Sequence, residues 1–113
     1  MRTLNDYFIT SAIPDVSAAS STFVTVPDAG RIIKIFAQNK ATTTGTAAIT
    51  FEIDTVACTS AAISHVAASS ALKKYTVEPT ALNEVLEGSI LEVITNGGSS
   101  NASKMEITYV IRR

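Results

Sequence analysis

From Met105 to Ile111 every second residue is apolar. Met105, Ile107, Tyr109 and Ile111 are apolar, and Glu106, Thr108, Val110 and Arg112 stand between them. Successive side chains of an extended chain point to opposite faces, so this pattern requires a strand with one buried face and excludes a helix. The same period recurs upstream. Ile49, Phe51 and Ile53 alternate with Thr50, Glu52 and Asp54, while Val24 and Val26 alternate with Phe23 and Thr25. Pro27 then ends that strand, because proline has no N–H to donate to a ladder.

Residue usage points the same way. Twelve Ile and nine Val stand against five Leu, alongside fifteen Thr. These β-branched residues suit a pleated surface better than a helix. Two further segments are apolar on both faces. Arg31 to Gln38 puts Ile33, Ile35 and Ala37 on one side and Ile32 and Phe36 on the other; Ser89 to Thr95 sets Leu91 and Val93 against Ile90 and Ile94. A sheet of a sandwich buries one face, so such strands are central or covered by something else.

Turn chemistry separates the strands. Pro27-Asp28-Ala29-Gly30 is a turn, Thr42–Gly45 a polar loop, and Glu87-Gly88 a turn before the Ser89 strand. Asn96-Gly97-Gly98 opens a polar loop to about Ser103, so Ile90–Thr95 and Lys104–Ile111 are expected to pair as an antiparallel hairpin. Thr59–Val66 and Tyr75–Glu78 read as weaker strands. Ala67–Leu72 and Pro79–Glu87 read as places for a helical turn. At 113 residues the chain is one domain. The expectation is an all-β, single antiparallel β-sandwich or jelly-roll-like domain of about seven or eight strands over residues 23–113. Residues 1–22 precede it as an extended N-terminal arm or edge strand.

Chemistry-bearing residues are sparse. His65 is the only histidine and Cys58 the only cysteine. Ser64 adjoins His65, but neighbours on a strand face opposite ways, so a Ser-His relay is not assembled. Zinc needs several Cys or His ligands, and no acidic calcium loop occurs, so no metal and no cofactor is expected. The glycines at Gly97-Gly98 lack the lysine of a phosphate-binding loop. No enzyme is expected.

Partners are bounded by charge and hydropathy. Nine basic and ten acidic residues are scattered without a basic face, so no nucleic acid is expected. No apolar run approaches the ~20 residues of a membrane helix, and the opening Met1 to Asp6 has no secretory character, so cytoplasmic synthesis is expected. Charged residues make up only 17%, against about 25% in typical domains, while 46% are apolar. That surplus points to self-association through the second faces of the doubly apolar strands.

The run Phe23-Val24-Thr25-Val26-Pro27-Asp28-Ala29-Gly30-Arg31-Ile32-Ile33-Lys34-Ile35 is followed by Ala48-Ile49-Thr50-Phe51-Glu52-Ile53-Asp54, Glu87-Gly88-Ser89-Ile90-Leu91-Glu92-Val93 and Val110-Ile111-Arg112-Arg113. Taken together it resembles the small β-sandwich decoration, or cement, proteins on the heads of tailed bacteriophages. The resemblance implies a structural virion protein on the capsid surface, a homotrimer at local three-fold positions that clamps the major capsid protein. The candidate capsid or subunit contacts are Leu4, Tyr7, Phe8 and Ile13 in the N-terminal stretch, with Ile32, Phe36, Ile90 and Ile94 on the doubly apolar strands. Ser17–Thr22 reads as a mobile connector. The alternative is a tail- or fibre-associated receptor- or carbohydrate-binding module on the same scaffold, although the chain has no Trp for stacking sugars.

Overall fold

The alternating segments become strands, and the strands stack as two sheets. The computed structural model describes residues 5–63 and 73–113, and every regular element among them is a β-strand. In chain order these are β1 (Asp6–Ile13), β2 (Ser20–Thr25), β3 (Gly30–Asn39), β4 (Ile49–Ile53), β5 (Val56–Ile63), β6 (Lys74–Val77), β7 (Glu84–Val85), β8 (Ile90–Thr95) and β9 (Met105–Arg112).

One sheet runs β1-β9-β3-β6, with the short β7 also pairing the start of β3. The other runs β2-β8-β4-β5. All of these pairings are antiparallel. Successive strands from β1 to β4 lie in alternate sheets, so the chain wraps around its own core in the jelly-roll manner. Between β4 and β5 the chain makes a tight hairpin. Its two turn residues, Asp54 and Thr55, have φ of 48° and 72°, and Ile53 pairs with Val56. Such a primed turn matches the right-handed twist of the strands it joins.

The inward positions of both sheets supply the core. Ile49, Phe51, Leu91 and Val93 come from one sheet, and Ile35, Met105, Ile107, Tyr109 and Ile111 from the other. Fully burying such side chains stabilises by about 1.5–3 kcal/mol each before entropy is counted.

Four local expectations are corrected. First, β8 and β9 do not form a hairpin: β8 pairs with β2 and β4, and β9 with β1 and β3. The connecting loop instead crosses from one sheet to the other. Its glycines permit close backbone packing: a Cβ on Gly97 (φ +74°) would lie 2.4 Å from the Ala19 nitrogen, and one on Gly98 1.8 Å from the Thr46 carbonyl oxygen. Second, a bulge between Ile32 and Lys34 breaks the period of β3. An extra residue in one strand turns every later side chain to the other face, so Ile32 and Ile35 both point into the core.

Third, the 79–87 segment holds no helical turn. Asn83 is buried and its side chain donates to the Ile32 carbonyl at 2.7 Å, while its own carbonyl accepts the Ile32 N–H at 2.8 Å. The chain is thereby bound to β3, with Leu82 left at φ 54°. Fourth, the connector before β2 is shorter than expected, since the strand begins at Ser20. Asp15 organises the remainder, accepting the N–H and hydroxyl of Ser17 at 2.9 and 2.6 Å. These bonds hold its carboxyl below the usual carboxylate range. The helical turn read at Ala67–Leu72 lies outside the described residues, as does His65.

Candidate functional site

Residues 6–13 are an edge strand paired with β9 along their whole length, from Asp6 opposite Arg112 to Ile13 opposite Met105. That pairing divides the candidate contacts of the N-terminal stretch. Ile9 and Ile13 point inward, and Ile13 is only 1% exposed. Tyr7 is half-buried: its hydroxyl donates to the Asp28 carbonyl, and the Arg113 guanidinium lies 4.8 Å from its ring centroid. Arg113 also donates to Asp28 Oδ2 at 2.7 Å. That bond and the Ala29 N–H hold the Asp28 carboxyl below its ordinary range. Burial, with the nearby Asp28 charge, pushes the Tyr7 hydroxyl up. Phe8 faces water, at 67% exposure. Leu4 lies outside the described residues.

The outer face of the five-stranded sheet follows from register. Phe8 pairs with Val110, which pairs with Lys34; Thr10 pairs with Thr108, which pairs with Phe36. Val110, between two larger neighbours, is nearly buried although it faces outward. Lys34 Nζ sits 5.7 Å from the Phe36 ring centroid and 3.5 Å from Glu78 Oε1. This surface is thus a diagonal of two exposed phenylalanines crossed by one cation. Beside Phe36 lies a shallow depression of about 340 Å³, reaching Lys74 and Glu106.

On the four-stranded sheet, Phe23 is 62% exposed and lies opposite Glu92, while Thr25 pairs with Ile90 and Ser21 with Ile94. Ile90 is exposed and Ile94 half-buried. Each outer face therefore carries aromatic or aliphatic side chains in a polar surround. Ile32 is not among them. The bulge turns it inward to 1% exposure, and both Ile13 and Ile32 are committed to this domain's own core and unavailable as contacts.

Reactive groups are not gathered anywhere among the described residues. Cys58 is free and buried, and burial, with Glu52 nearby, raises its thiol to about 11, so it is protonated at neutral pH. No three of His, Cys, Asp and Glu among the described residues are placed to hold a metal ion. No helix among them is long and apolar enough to cross a membrane. The arrangement offers surface to a partner: two outer faces and one end.

That end carries residues that sequence patterns do not single out. Val56, Leu82 and Leu86 are exposed there, and Val56 and Leu82 line an open groove of about 920 Å³ between the β4–β5 turn and the 78–84 segment. Leu82 and Leu86 lie inside a stretch whose composition suits a helical turn, and no local signal distinguishes an exposed leucine from a core one.

No protein-family model matches the chain, and no curated protein matches it in sequence. Solved structures do match. A chain of the acid-stable capsid structure of Helicobacter pylori bacteriophage KHP30 superposes with a TM-score of 0.63 at 9% identity, over 96% of this chain and 87% of that one. A chain of the cyanophage Pam1 capsid asymmetric unit gives 0.57 at 12% identity, over 95% and 82%. A family 29 carbohydrate-binding module from Piromyces equi gives 0.51 at 15%, over 91% and 79%. At these identities the likeness is one of fold.

Proposed function

We propose that this chain is a structural virion protein, a head decoration protein that binds the outside of a phage capsid as a homotrimer and stabilises the shell. The observation that carries the reading is the set of phenylalanines held out in water, Phe8 and Phe36 on one outer face and Phe23 on the other. Large apolar side chains kept at a surface mark sites of association. The near end-to-end superposition on chains of two phage capsid structures supports it, as does the resemblance in the sequence. On a repeating lattice each contact can be weak, because many copies engage together.

A second reading, a carbohydrate-binding module, is supported by the fold shared with such a module and by the depression beside Phe36. Two assays on the purified protein separate the readings: co-sedimentation with phage heads that lack it, and titration with soluble oligosaccharides. Saturable sedimentation with heads and no response to sugars favours the decoration protein. Sugar binding without head binding overturns it.

A further inference from the structure

The groove at the end of the sandwich has features that core packing does not require. The bulge in β3 makes Ile33 part of its lining, and Ile53, the last residue of β4, lies beside it. A bulge re-aims a side chain in this way. Above this apolar floor, Val56 and Leu82 stand on the rim, with Leu82 63% exposed. Leu82 is also held at φ 54°, a left-handed conformation that a branched apolar residue rarely adopts. Neighbouring bonds impose it: Asn83 is bound to Ile32, and Ala81 and Thr80 are bound to Thr59 at 2.9 and 3.0 Å. Strain imposed by surrounding structure on a solvent-facing apolar side chain is the pattern of a ligand clamp.

Charge narrows the occupant. Asp54, Glu78 and Glu84 line the groove together with Arg31. Glu78 is paired with Lys34 and Asp54 accepts the Ile90 N–H at 3.0 Å, so the carboxylates of Asp54 and Glu84 meet one guanidinium, Arg31, which lies opposite Glu84 in register. The groove is open to solvent and, at about 920 Å³, falls in the size range of ligand clefts.

We infer that this groove binds an extended peptide segment of a partner protein, an aliphatic side chain seated between Leu82 and Val56 with a Lys or Arg beside it facing Asp54 and Glu84. The inference deepens the decoration reading, on which it rests for the partner: the segment then belongs to a shell subunit.

The test uses synthetic octapeptides with a central Leu flanked by Lys, against Glu-flanked and Ser-flanked controls, followed by methyl NMR and fluorescence anisotropy. Lys-flanked peptides are expected to move the Val56 and Leu82 methyl signals saturably, with Glu-flanked ones at least about tenfold weaker. Glu84→Lys should reverse that preference. Leu82→Gly should weaken binding roughly tenfold while its unfolding midpoint is no lower than that of the parent, because glycine tolerates the backbone angle. Binding that ignores flanking charge, shifts confined to the Phe8–Phe36 face, full affinity in both variants, or failure of every peptide to saturate each overturns the inference. So do shifts of these methyls by xylo- or cello-oligosaccharides where peptides give none. If the heads co-sediment both variants undiminished, the groove inference fails and the decoration reading stands. If peptides bind but heads do not, the peptide groove stands, and its assignment to a shell subunit falls with the decoration reading.

Discussion

The rings of Phe51 and Tyr109 meet edge to face, 6.0 Å between centroids and 88° between planes. Phe51 belongs to β4 and Tyr109 to β9, so this contact joins the two sheets. An edge-on pair adds about 0.5–1.5 kcal/mol to the burial of both rings. Phe51→Ala should therefore cost about 3–5 kcal/mol in chemical denaturation. The buried Tyr109 hydroxyl has no hydrogen-bond partner among the described residues, and burial pushes its titration well up. Tyr109→Phe removes that unsatisfied group and should leave stability within about 1 kcal/mol of the parent, or higher. A loss as large as that of Phe51→Ala would show that the hydroxyl is bonded.

Removing the N-terminal strand should unfold the domain, not merely weaken an interaction. Deletion of residues 1–13 takes Ile9 and Ile13 from the core and strips β9 of a partner along its length. It also breaks the Asp6–Arg112 pair, with contacts of 2.8 and 3.1 Å. The truncated chain should show no cooperative thermal transition by circular dichroism. A sharp transition would show that β1 is dispensable.

Acid should loosen the fold by a predictable route. Ser17 depresses Asp15, and Arg113 with Ala29 depresses Asp28. A carboxyl whose folded pKa is below its unfolded one contributes stability above the unfolded value of 3.8, and loses it as pH falls through the folded value. The urea midpoint should hold between about pH 5 and 8 and fall below about pH 4. The Asp15→Asn, Asp28→Asn double variant should show a shallower acid limb. An unchanged limb would assign acid sensitivity elsewhere. Both carboxylates border solvent, so the effect is modest.

Cys58 should resist modification while the domain is folded. Its burial and a thiol raised to about 11 leave little thiolate at about pH 8. An aromatic disulfide reagent should label it only after denaturant is added. Rapid labelling of the native protein would contradict the burial.

The regular parts of this fold are legible in the sequence because a half-buried strand writes its burial into every second residue. Met105 to Ile111 and Ile49 to Ile53 are of that kind, and Phe51 and Tyr109 are core residues as their positions imply. The outward set of β8, Ile90 and Ile94, is legible for the same reason. The hidden parts depend on irregular backbone or distant pairing. One inserted residue at Ile33 reverses the facing of Ile32. The loop after Thr95 resembles a hairpin loop in composition, yet its length and two glycines serve a crossing between sheets. The groove has no local signature, because Asp54, Ile33 and Leu82 come together only when the two sheets stack.

Electron cryomicroscopy of phage heads incubated with the purified protein bears most directly on the decoration role. The expected result is ordered density outside the shell at local three-fold positions, three copies to a site, lost with the Phe8→Asp, Phe36→Asp, Phe23→Asp triple variant. Bare heads at saturating protein, or undiminished density with that variant, would contradict a role in which the exposed phenylalanines hold the domain to its neighbours.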